Sequence, residues 1–327
     1  MKAKAAHIKA AEEVLKFIQQ NDHFLVSAHI NADGDAVASV IAVGLLLGHF
    51  KKKYYMIFHD TQINHRYSYL KNFDRIMTYS STLNLQLRAA IILDVPSRQR
   101  LGNVEKLLPD RSKTVKIDHH PEEDDFAAVS MVDEKASSSA QLVYEILDQA
   151  QIKIDFDMAQ AIYTGIVYDT GRFSFSNTTS RDMTICSKMI DAGVEPAKIN
   201  DHIFFENSFD AIRTIGKGLA EIEHYLNGAV NVIYLDHSIM YRDHHGEIEE
   251  LANYSVAIRG GKVGIFIREI RPRLHKISLR AKEDVDVNRV AKKFNGGGHT
   301  RAAGCRLEGT KDEVIKKLLA EIKKQLR

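Results

Sequence analysis

The sequence has little cysteine and no long apolar run, and each shortage excludes a class of protein. Cys186 and Cys305 are its only cysteines, so a disulfide framework is not indicated and a metal site made of thiolates alone is excluded. The longest apolar run, residues 37–47, is interrupted by Ser39 and Gly44 and is too short to cross a bilayer. The N-terminal segment lacks the apolar core of a signal peptide and is typical of an amphipathic helix. We therefore expect a cytoplasmic protein.

The chain also lacks a large excess of charge of either sign, but its charges are unevenly distributed. The net charge over 327 residues is +2. Acidic residues outnumber basic ones up to residue 206, whereas basic residues dominate afterwards and most strongly over 259–306. This asymmetry is typical of a protein that holds metal ions in one half and an anionic ligand in the other. A solvated charged surface is the alternative interpretation.

Apolar runs and helical patterns alternate up to about residue 190, which favours a mostly parallel sheet flanked by helices. Buried strands are predicted at 24–28, 54–58, 89–93 and 114–117. Helices are predicted at 36–47, 138–149, 158–167 and 181–192. In an α/β fold of this kind, ligands bind beyond the carboxyl ends of the strands.

A second, smaller α/β unit is predicted in the rest of the chain. Its strand-like runs lie at 229–235, 263–267 and 276–280, and a helix is predicted at 311–325. We predict a first domain over 1–195, a helical linker over 196–226 and a second domain over 227–327. The active site is expected in the cleft between the two domains.

Acidic residues and histidines directly follow several of the predicted strands. Carboxylates crowded at one sheet edge repel one another unless cations neutralise them. Aspartate and histidine together suit Mn²⁺, Zn²⁺, Fe²⁺ or Mg²⁺. The candidates exceed what one catalytic metal needs, so we predict two metals that share a carboxylate and activate a water molecule. The candidate residues lie in four clusters: His29 with Asp33 and Asp35, Asp94, Asp118 with His119 and His120, and Asp169.

These signals are weak singly and strong in combination. An aspartate that follows a strand, such as Asp94, or a helical run, such as Asp169, is more often a helix cap or a turn former. A second Asp-His-His, at residues 243–245, has no apolar strand before it, and we interpret it as a polar surface segment. The context of the tripeptide Asp118-His119-His120, and not the tripeptide itself, carries the prediction.

A glycine-rich segment, Gly296-Gly297-Gly298-His299, marks the second domain. Consecutive glycines destabilise regular elements and are typical of a backbone that approaches a ligand closely. With Ala302 and Ala303 opening a possible helix, the segment predicts a phosphate-binding turn. His299 and Arg301 would add donors, and Arg280 lies at the end of a nearby predicted strand. A flexible surface loop is the alternative.

These motifs resemble, over nearly the whole chain, those of the DHH phosphoesterase superfamily. The segments at 29–35, 94, 118–120 and 169–171 resemble its successive motifs, and 296–299 with 302–304 resembles the signature of the DHH-associated C-terminal domain. Spacing and length are most similar to the NrnA-type branch, which comprises nanoRNases that also dephosphorylate 3′-phosphoadenosine-5′-phosphate (pAp).

The resemblance implies a role for each matching residue. One Mn²⁺ would be held by His29, Asp33 and Asp94, and the other by Asp35, Asp94, His119 and Asp169. Asp118 would orient its neighbours, and His120 would contact the scissile phosphate or assist the leaving group. The terminal nucleotide would be bound by Arg100, Arg280, Gly296, Gly297, Gly298 and His299.

The expected function is hydrolysis of short oligoribonucleotides and dinucleotides to mononucleotides, and of pAp to AMP. The alternatives are a phosphodiesterase for pApA or cyclic dinucleotides and, in a different class, a non-catalytic RNA- or nucleotide-binding protein. The expected partners are these substrates; no membrane partner is expected, and a homodimer is compatible with the resemblance.

Overall fold

The chain folds into two compact units, the first ending at Glu206 and the second beginning at Asn207. This computed structural model describes residues 2–239, 247–282 and 285–326, with side chains from residue 7 onwards. The second Asp-His-His, at 243–245, lies outside the described residues. None of the described helices is long and apolar enough to cross a membrane.

A six-stranded, entirely parallel sheet forms the centre of the first unit. The strand order is β3-β2-β1-β4-β5-β6, so the winding direction reverses between β1 and β4. Ligands of such sheets bind where the order reverses, beyond the carboxyl ends of the strands. The strands are β1 Phe24–Ser27, β2 Tyr54–Phe58, β3 Met77–Thr78, β4 Ala89–Leu93, β5 Thr114–Asp118 and β6 Val129–Val132.

The two faces of this sheet are covered differently. One face packs against α-helices in a large apolar core, to which Phe24 and Val26 of β1 contribute. The other face, which includes Leu25, is covered by a 3₁₀ segment, Arg98–Leu107, and by loops. The helices are α1 Lys2–Gln20, α2 Gly34–His49, α3 Ser139–Gln149, α4 Phe156–Asp169, α5 Ser180–Asp191 and α6 Pro196–Asn200, followed by a π-helical turn, Asp201–Phe205. Single 3₁₀ turns lie at His65–Tyr67, Phe73–Arg75 and Arg111–Lys113.

The second unit is built on a mixed six-stranded sheet with the order β11-β12-β10-β9-β8-β7. The pair β8–β9 is parallel, and the other neighbours pair antiparallel. Apolar clusters cover both faces. The strands are β7 Glu223–Tyr225, β8 Val230–Leu235, β9 Val263–Arg271, β10 Leu274–Ala281, β11 Gly297–Gly298 and β12 Ala302–Glu308. The helices are α7 Phe209–Ala220, α8 Leu251–Val256, α9 Val287–Lys292 and α10 Lys311–Lys323, with a 3₁₀ turn at Glu247–Glu250.

The predicted fold class is confirmed for both units, with two local corrections. Ala302 and Ala303 do not open a helix: they begin β12, which is hydrogen-bonded to β10 and β11. The predicted helical stretch 196–226 is interrupted by the π-helical turn before α7, and its last residues belong to β7. Pairing with β10, which local patterning does not report, decides the first case, and pairing of β7 with β8 decides the end of the second stretch.

Candidate active site

The loop after β1 carries the first two candidate ligands. The Nδ1 of His29 lies 2.9 Å from the carbonyl oxygen of Ile30, so Nδ1 carries a proton and Nε2 faces the site. Asp33 caps α2, because its Oδ1 accepts the N–H groups of Asp35 and Ala36 at 3.1 Å. Its other oxygen, Oδ2, lies 3.8 Å from His29 Nε2. Asp33 therefore starts a helix with one oxygen and faces the site with the other.

Asp35 is fully buried and connects two helices. It lies in the first turn of α2, and it accepts hydrogen bonds from the first N–H groups of α3, at 2.6 Å from Ser139 and 3.0 Å from Ala140. A carboxylate at a helix N-terminus is stabilised by the helix dipole. Its Oδ2 also lies 3.9 Å from His119 Nε2.

Asp94, directly after β4, is the centre of the cluster. Its backbone is left-handed, with φ 58°, and its side chain is only 2% exposed. Oδ2 lies 3.3 Å from His29 Nε2, and Oδ1 lies 3.3 Å from His119 Nε2. The hydroxyl of Ser139 is 3.2 Å from Oδ1. Each oxygen of Asp94 therefore faces the ring nitrogen of a different histidine.

His119, after β5, is oriented in the same way as His29. Its Nδ1 lies 3.3 Å from the carbonyl oxygen of Ala136, and its Nε2 lies 3.1 Å from Asp169 Oδ2. Asp169 is the last residue of α4, so a helix end brings this acid to the strand ends. A histidine whose Nδ1 is bound to a backbone carbonyl presents Nε2 as a metal ligand.

The other two residues of the tripeptide, Asp118 and His120, contact each other, and His120 Nδ1 also lies 3.4 Å from Asp94 Oδ1. Asp118 is fully buried, and its Oδ1 lies 2.9 Å from His120 Nδ1 and accepts the His120 backbone N–H at 3.1 Å. Below it, fully buried Lys116 places its ammonium 3.7 Å from Asp118 Oδ2 and 3.1 Å from the Pro96 carbonyl oxygen. This arrangement fixes the ring of His120 through Asp118.

The pKa values in the cluster show how strongly its charges interact. Burial alone would lower the pKa of His29 and of His119, but neighbouring carboxylates outweigh it and raise both well above the ordinary value. Burial and the charge of Asp94 raise the pKa of Asp35 well above its ordinary range, and burial raises that of Asp169. Burial also opposes ionisation of Asp94, yet hydrogen bonds from the histidines hold its pKa well below the ordinary value. Without cations, the site keeps protons that metal ions would displace.

The donor set fits divalent metal ions. Ligand atoms of His29, Asp33 and Asp94 lie close enough together to hold one ion, and so do those of Asp35, Asp94 and His119. Asp94 is common to both groups. Oxygen and imidazole donors of this kind suit Mn²⁺, Fe²⁺, Zn²⁺ or Mg²⁺.

Three further residues at this site were missed from the sequence. Asp60 accepts backbone N–H groups of the loop after β1, and Ser139 donates to Asp94. Lys116 is the buried partner of Asp118. Asp60 had a usable signal, because it follows the predicted strand 54–58 almost directly, and Lys116 stood out as a lysine within an apolar strand.

Gly34 is required because of close packing and not because of its backbone conformation. It does not have a left-handed backbone; instead, a Cβ at this position would lie 2.5 Å from the ring of Tyr168. The glycine therefore lets α2 pack closely against α4, which carries Asp169.

The predicted nucleotide-binding residues lie in different settings. Arg100 is exposed in the 3₁₀ segment of the first unit. Arg280 lies in β10 of the second unit, where its Nε donates to Asn253 Oδ1 at 2.9 Å. His299 is at the turn of the β11–β12 hairpin, and its N–H donates to the Ala302 carbonyl oxygen at 2.7 Å.

Close packing within that hairpin accounts for part of the glycine run. A Cβ on Gly296 would lie 2.1 Å from the Gly304 carbonyl oxygen. Gly298 has φ +139°, and its Cβ would lie 2.5 Å from the Ala302 carbonyl oxygen. Gly297 pairs with Gly304 across the hairpin. Gly296 and Gly298 are thus needed for the fold of this hairpin, whatever it binds.

Two protein-family models match the chain, one within each unit. Residues 23–166 match the DHH family N-terminal domain, and residues 229–327 match the DHHA1 domain. The bifunctional oligoribonuclease and PAP phosphatase NrnA of Thermus thermophilus is 25% identical, covering 98% of this chain and 94% of that protein. The protein of the same name from Bacillus subtilis is 27% identical, and the match covers 90% of this chain and 92% of that protein.

A solved structure shows the same fold. An exopolyphosphatase-related protein from Bacteroides fragilis superposes with a TM-score of 0.85 at 22% identity, covering 98% of this chain and 96% of that one. The two domain matches together span well over half of the sequence. Carrying a DHH domain followed by a DHHA1 domain, this chain is a member of the DHH family of metal-dependent phosphoesterases.

Proposed function

We propose that this protein is a two-metal phosphohydrolase that degrades short oligoribonucleotides and dinucleotides to mononucleotides and dephosphorylates pAp to AMP. The observation that carries the proposal is the position of Asp94, each of whose oxygens lies 3.3 Å from the Nε2 of a different histidine. A carboxylate with two such neighbours suits a pair of cations. The names of the Thermus and Bacillus relatives support the choice of substrates.

The proposed ligands divide into two sets that share Asp94. His29 and Asp33 complete one set; Asp35, His119 and Asp169 complete the other. Divalent ions bound there, Mn²⁺ in this proposal, would lower the pKa of a water nucleophile and offset the charge of the phosphate. The chain's own contribution is orientation, since both ligand histidines have their Nδ1 atoms held by backbone carbonyls.

His120 is proposed to act on the phosphate itself. Asp118 Oδ1 lies 2.9 Å from His120 Nδ1, and the other ring nitrogen, Nε2, is proposed to contact a phosphate oxygen or to give a proton to the leaving oxygen. Asp118 keeps the ring in one orientation, and Lys116 keeps Asp118 in place. These residues form a chain of contacts that ends at the reacting atoms.

The second domain is proposed to bind the end nucleotide of the substrate. Arg280 supplies a guanidinium suited to a phosphate, and the β11–β12 hairpin supplies His299. Arg100 of the first domain is a further proposed contact. A binding role for Gly296, Gly297 and Gly298 is part of the proposal in addition to their packing role.

The test measures hydrolysis of end-labelled oligoribonucleotides, from dinucleotides to oligomers several times longer, together with pAp and cyclic di-AMP in Mn²⁺. We expect turnover of the shortest RNAs and of pAp, and a loss of more than about 100-fold in Asp94→Asn, since even partners of metal ligands account for 10–100-fold. Asp148→Asn, at the opposite end of the helix that carries Ser139, is the matched control and should keep wild-type activity.

Other outcomes separate the alternatives. Equal turnover of long and short RNA would refute the short-substrate proposal. Preference for cyclic di-AMP would favour a cyclic dinucleotide phosphodiesterase. RNA binding without hydrolysis in Mn²⁺ would support a non-catalytic protein. A cytoplasmic location and a homodimer stay predictions.

A further inference from the structure

The loop between His29 and Asp33 is held by hydrogen bonds from outside itself. The N–H of Ile30 donates to the Arg100 carbonyl oxygen at 2.7 Å. The next two N–H groups, of Asn31 and Ala32, donate to Oδ1 and Oδ2 of Asp60, each at 2.9 Å. Three consecutive backbone N–H groups therefore have acceptors on other segments of the chain.

Asp60 stands in a position to fix this loop firmly. It follows β2, the neighbour of β1, and Thr78 of β3 donates to its backbone carbonyl oxygen at 3.2 Å. A carboxylate that accepts two N–H groups forms charge-assisted hydrogen bonds, which are stronger than neutral ones. The contact matters because Asn31 has a left-handed backbone, with φ 57°, which asparagine adopts more readily than most residues, and the two hydrogen bonds to Asp60 hold the chain in this turn.

We propose that Asp60 is a positioning residue for the metal site: its carboxylate sets the geometry of the loop that places His29 and Asp33. This inference rests on the metal site of the proposed function. Asp60 is not itself one of the ligand groups found among the described residues, and both of its oxygens already accept N–H groups. It therefore acts through the loop and not on a metal.

The chain contains a matched control at the other end of the same strand. Asp22 precedes β1, and its Oδ1 accepts the N–H groups of His23 at 2.8 Å and of Lys53 at 2.7 Å. Asp22 thus makes the same kind of contact as Asp60, a carboxylate on two backbone N–H groups, at the amino end of the sheet. Loss of Asp22 should affect stability without affecting the metal site.

The experiment compares Mn²⁺ binding to metal-free wild type, Asp60→Asn and Asp22→Asn by titration calorimetry. Asparagine keeps the size of the side chain but turns an NH₂ group towards one of the two N–H donors. We expect Asp60→Asn to weaken Mn²⁺ binding by about 10–100-fold, the usual effect of removing a partner that orients a ligand. Asp22→Asn should keep the wild-type affinity.

Amide hydrogen exchange of the metal-free proteins supplies a readout that needs no metal. The peptide containing Asn31 and Ala32 should exchange slowly in the wild type and faster in Asp60→Asn. Asp60→Glu, which keeps both acceptor oxygens, is the rescue variant and should exchange more slowly and bind Mn²⁺ more tightly than Asp60→Asn. It also carries the test if Asp60→Asn does not fold.

The two proposals fail in different ways. Wild-type Mn²⁺ affinity in Asp60→Asn, or equal losses in the Asp60 and Asp22 variants, would overturn the positioning role. Rapid exchange at residues 31 and 32 in the wild type would overturn it as well. A wild type that binds no Mn²⁺ would instead overturn the proposed function, and with it the role of Asp60 at a metal site.

Discussion

Lys116 offers a test of how the Asp-His-His segment is supported. Its side chain is 1% exposed and that of Asp118 is 0% exposed, with the ammonium 3.7 Å from Asp118 Oδ2. The ammonium also donates to the Pro96 carbonyl oxygen at 3.1 Å and lies 5.5 Å from the centre of the Phe126 ring. We predict that Lys116→Met, which keeps the apolar stem, destabilises the first domain.

The expected loss in the free energy of unfolding follows from the buried carboxylate of Asp118, which the substitution leaves without its lysine partner. Removing one partner of a buried ion pair typically costs about 3–5 kcal/mol, because the other charge stays buried without compensation. Methionine avoids the cost of burying an ammonium, so we expect a loss of about 3 kcal/mol, at the lower end of that range. Glu122 lies 3.8 Å from the ammonium with its side chain 49% exposed, so it contributes little.

A double-mutant cycle in urea denaturation measures this pair. Lys116→Met, Asp118→Asn and the double variant are compared with wild type, all in the metal-free state. If the two charges compensate each other, the double variant is less destabilised than the sum of the single ones, with an interaction energy of about 0.5–3 kcal/mol. Strict additivity, or a Lys116→Met variant as stable as wild type, would refute the role assigned to the pair.

The remaining predictions concern pH, packing and metal removal. The raised pKa values of His29 and His119 stabilise the metal-free fold fully below the ordinary value of 6.5, and this contribution is lost as pH rises through the folded-state pKa. The melting temperature in chelator should therefore fall from pH 6 to pH 9, and a flat profile would contradict the shifts. Gly165→Ala should destabilise the protein by about 1–3 kcal/mol in urea denaturation, because its Cβ would lie 2.5 Å from both Ala140 Cβ and Asp35 Oδ1. Gly48→Ala, which meets nothing within 4 Å, should be neutral or stabilising by up to about 1 kcal/mol. Mn²⁺ at 100 times its dissociation constant should add about 2.7 kcal/mol to stability, whereas unchanged melting on chelation would argue against a metal site.

Much of the fold of the first unit could be predicted from the sequence because its central strands are buried on both faces. Such strands form continuous apolar runs, and 54–58 and 89–93 are observed with the predicted bounds. Edge strands β3 and β6 were not predicted, since they are short and only partly buried. In the second domain, the small residues that begin β12 were assigned to a helix because pairing with β10 is a long-range contact.

The site shows the same division between local and distant information. Candidate ligands could be located because parallel strands end at one edge, which brings residues distant in sequence together. Contacts between side chains and distant backbone groups could not be predicted from the sequence. Asp35 accepts the N–H of Ser139, 104 residues away, and Asp60 accepts the N–H of Asn31, 29 residues away. These contacts depend on how α3 and the loop after β1 dock, which is settled only by the folded chain.

The strand order of the first sheet also determines when this site can exist. β1 and β4 are neighbours although β2 and β3 lie between them in the sequence, so His29 and Asp94 meet only when the long intervening segment has been bridged. Asp169 comes last, at the end of α4. A nascent chain that has not yet emerged through α4 lacks part of the cluster, and tight Mn²⁺ binding during synthesis would therefore report completion of the domain. Crossovers of this kind bring distant segments together slowly, so acquisition of metal is expected to be a late step in folding.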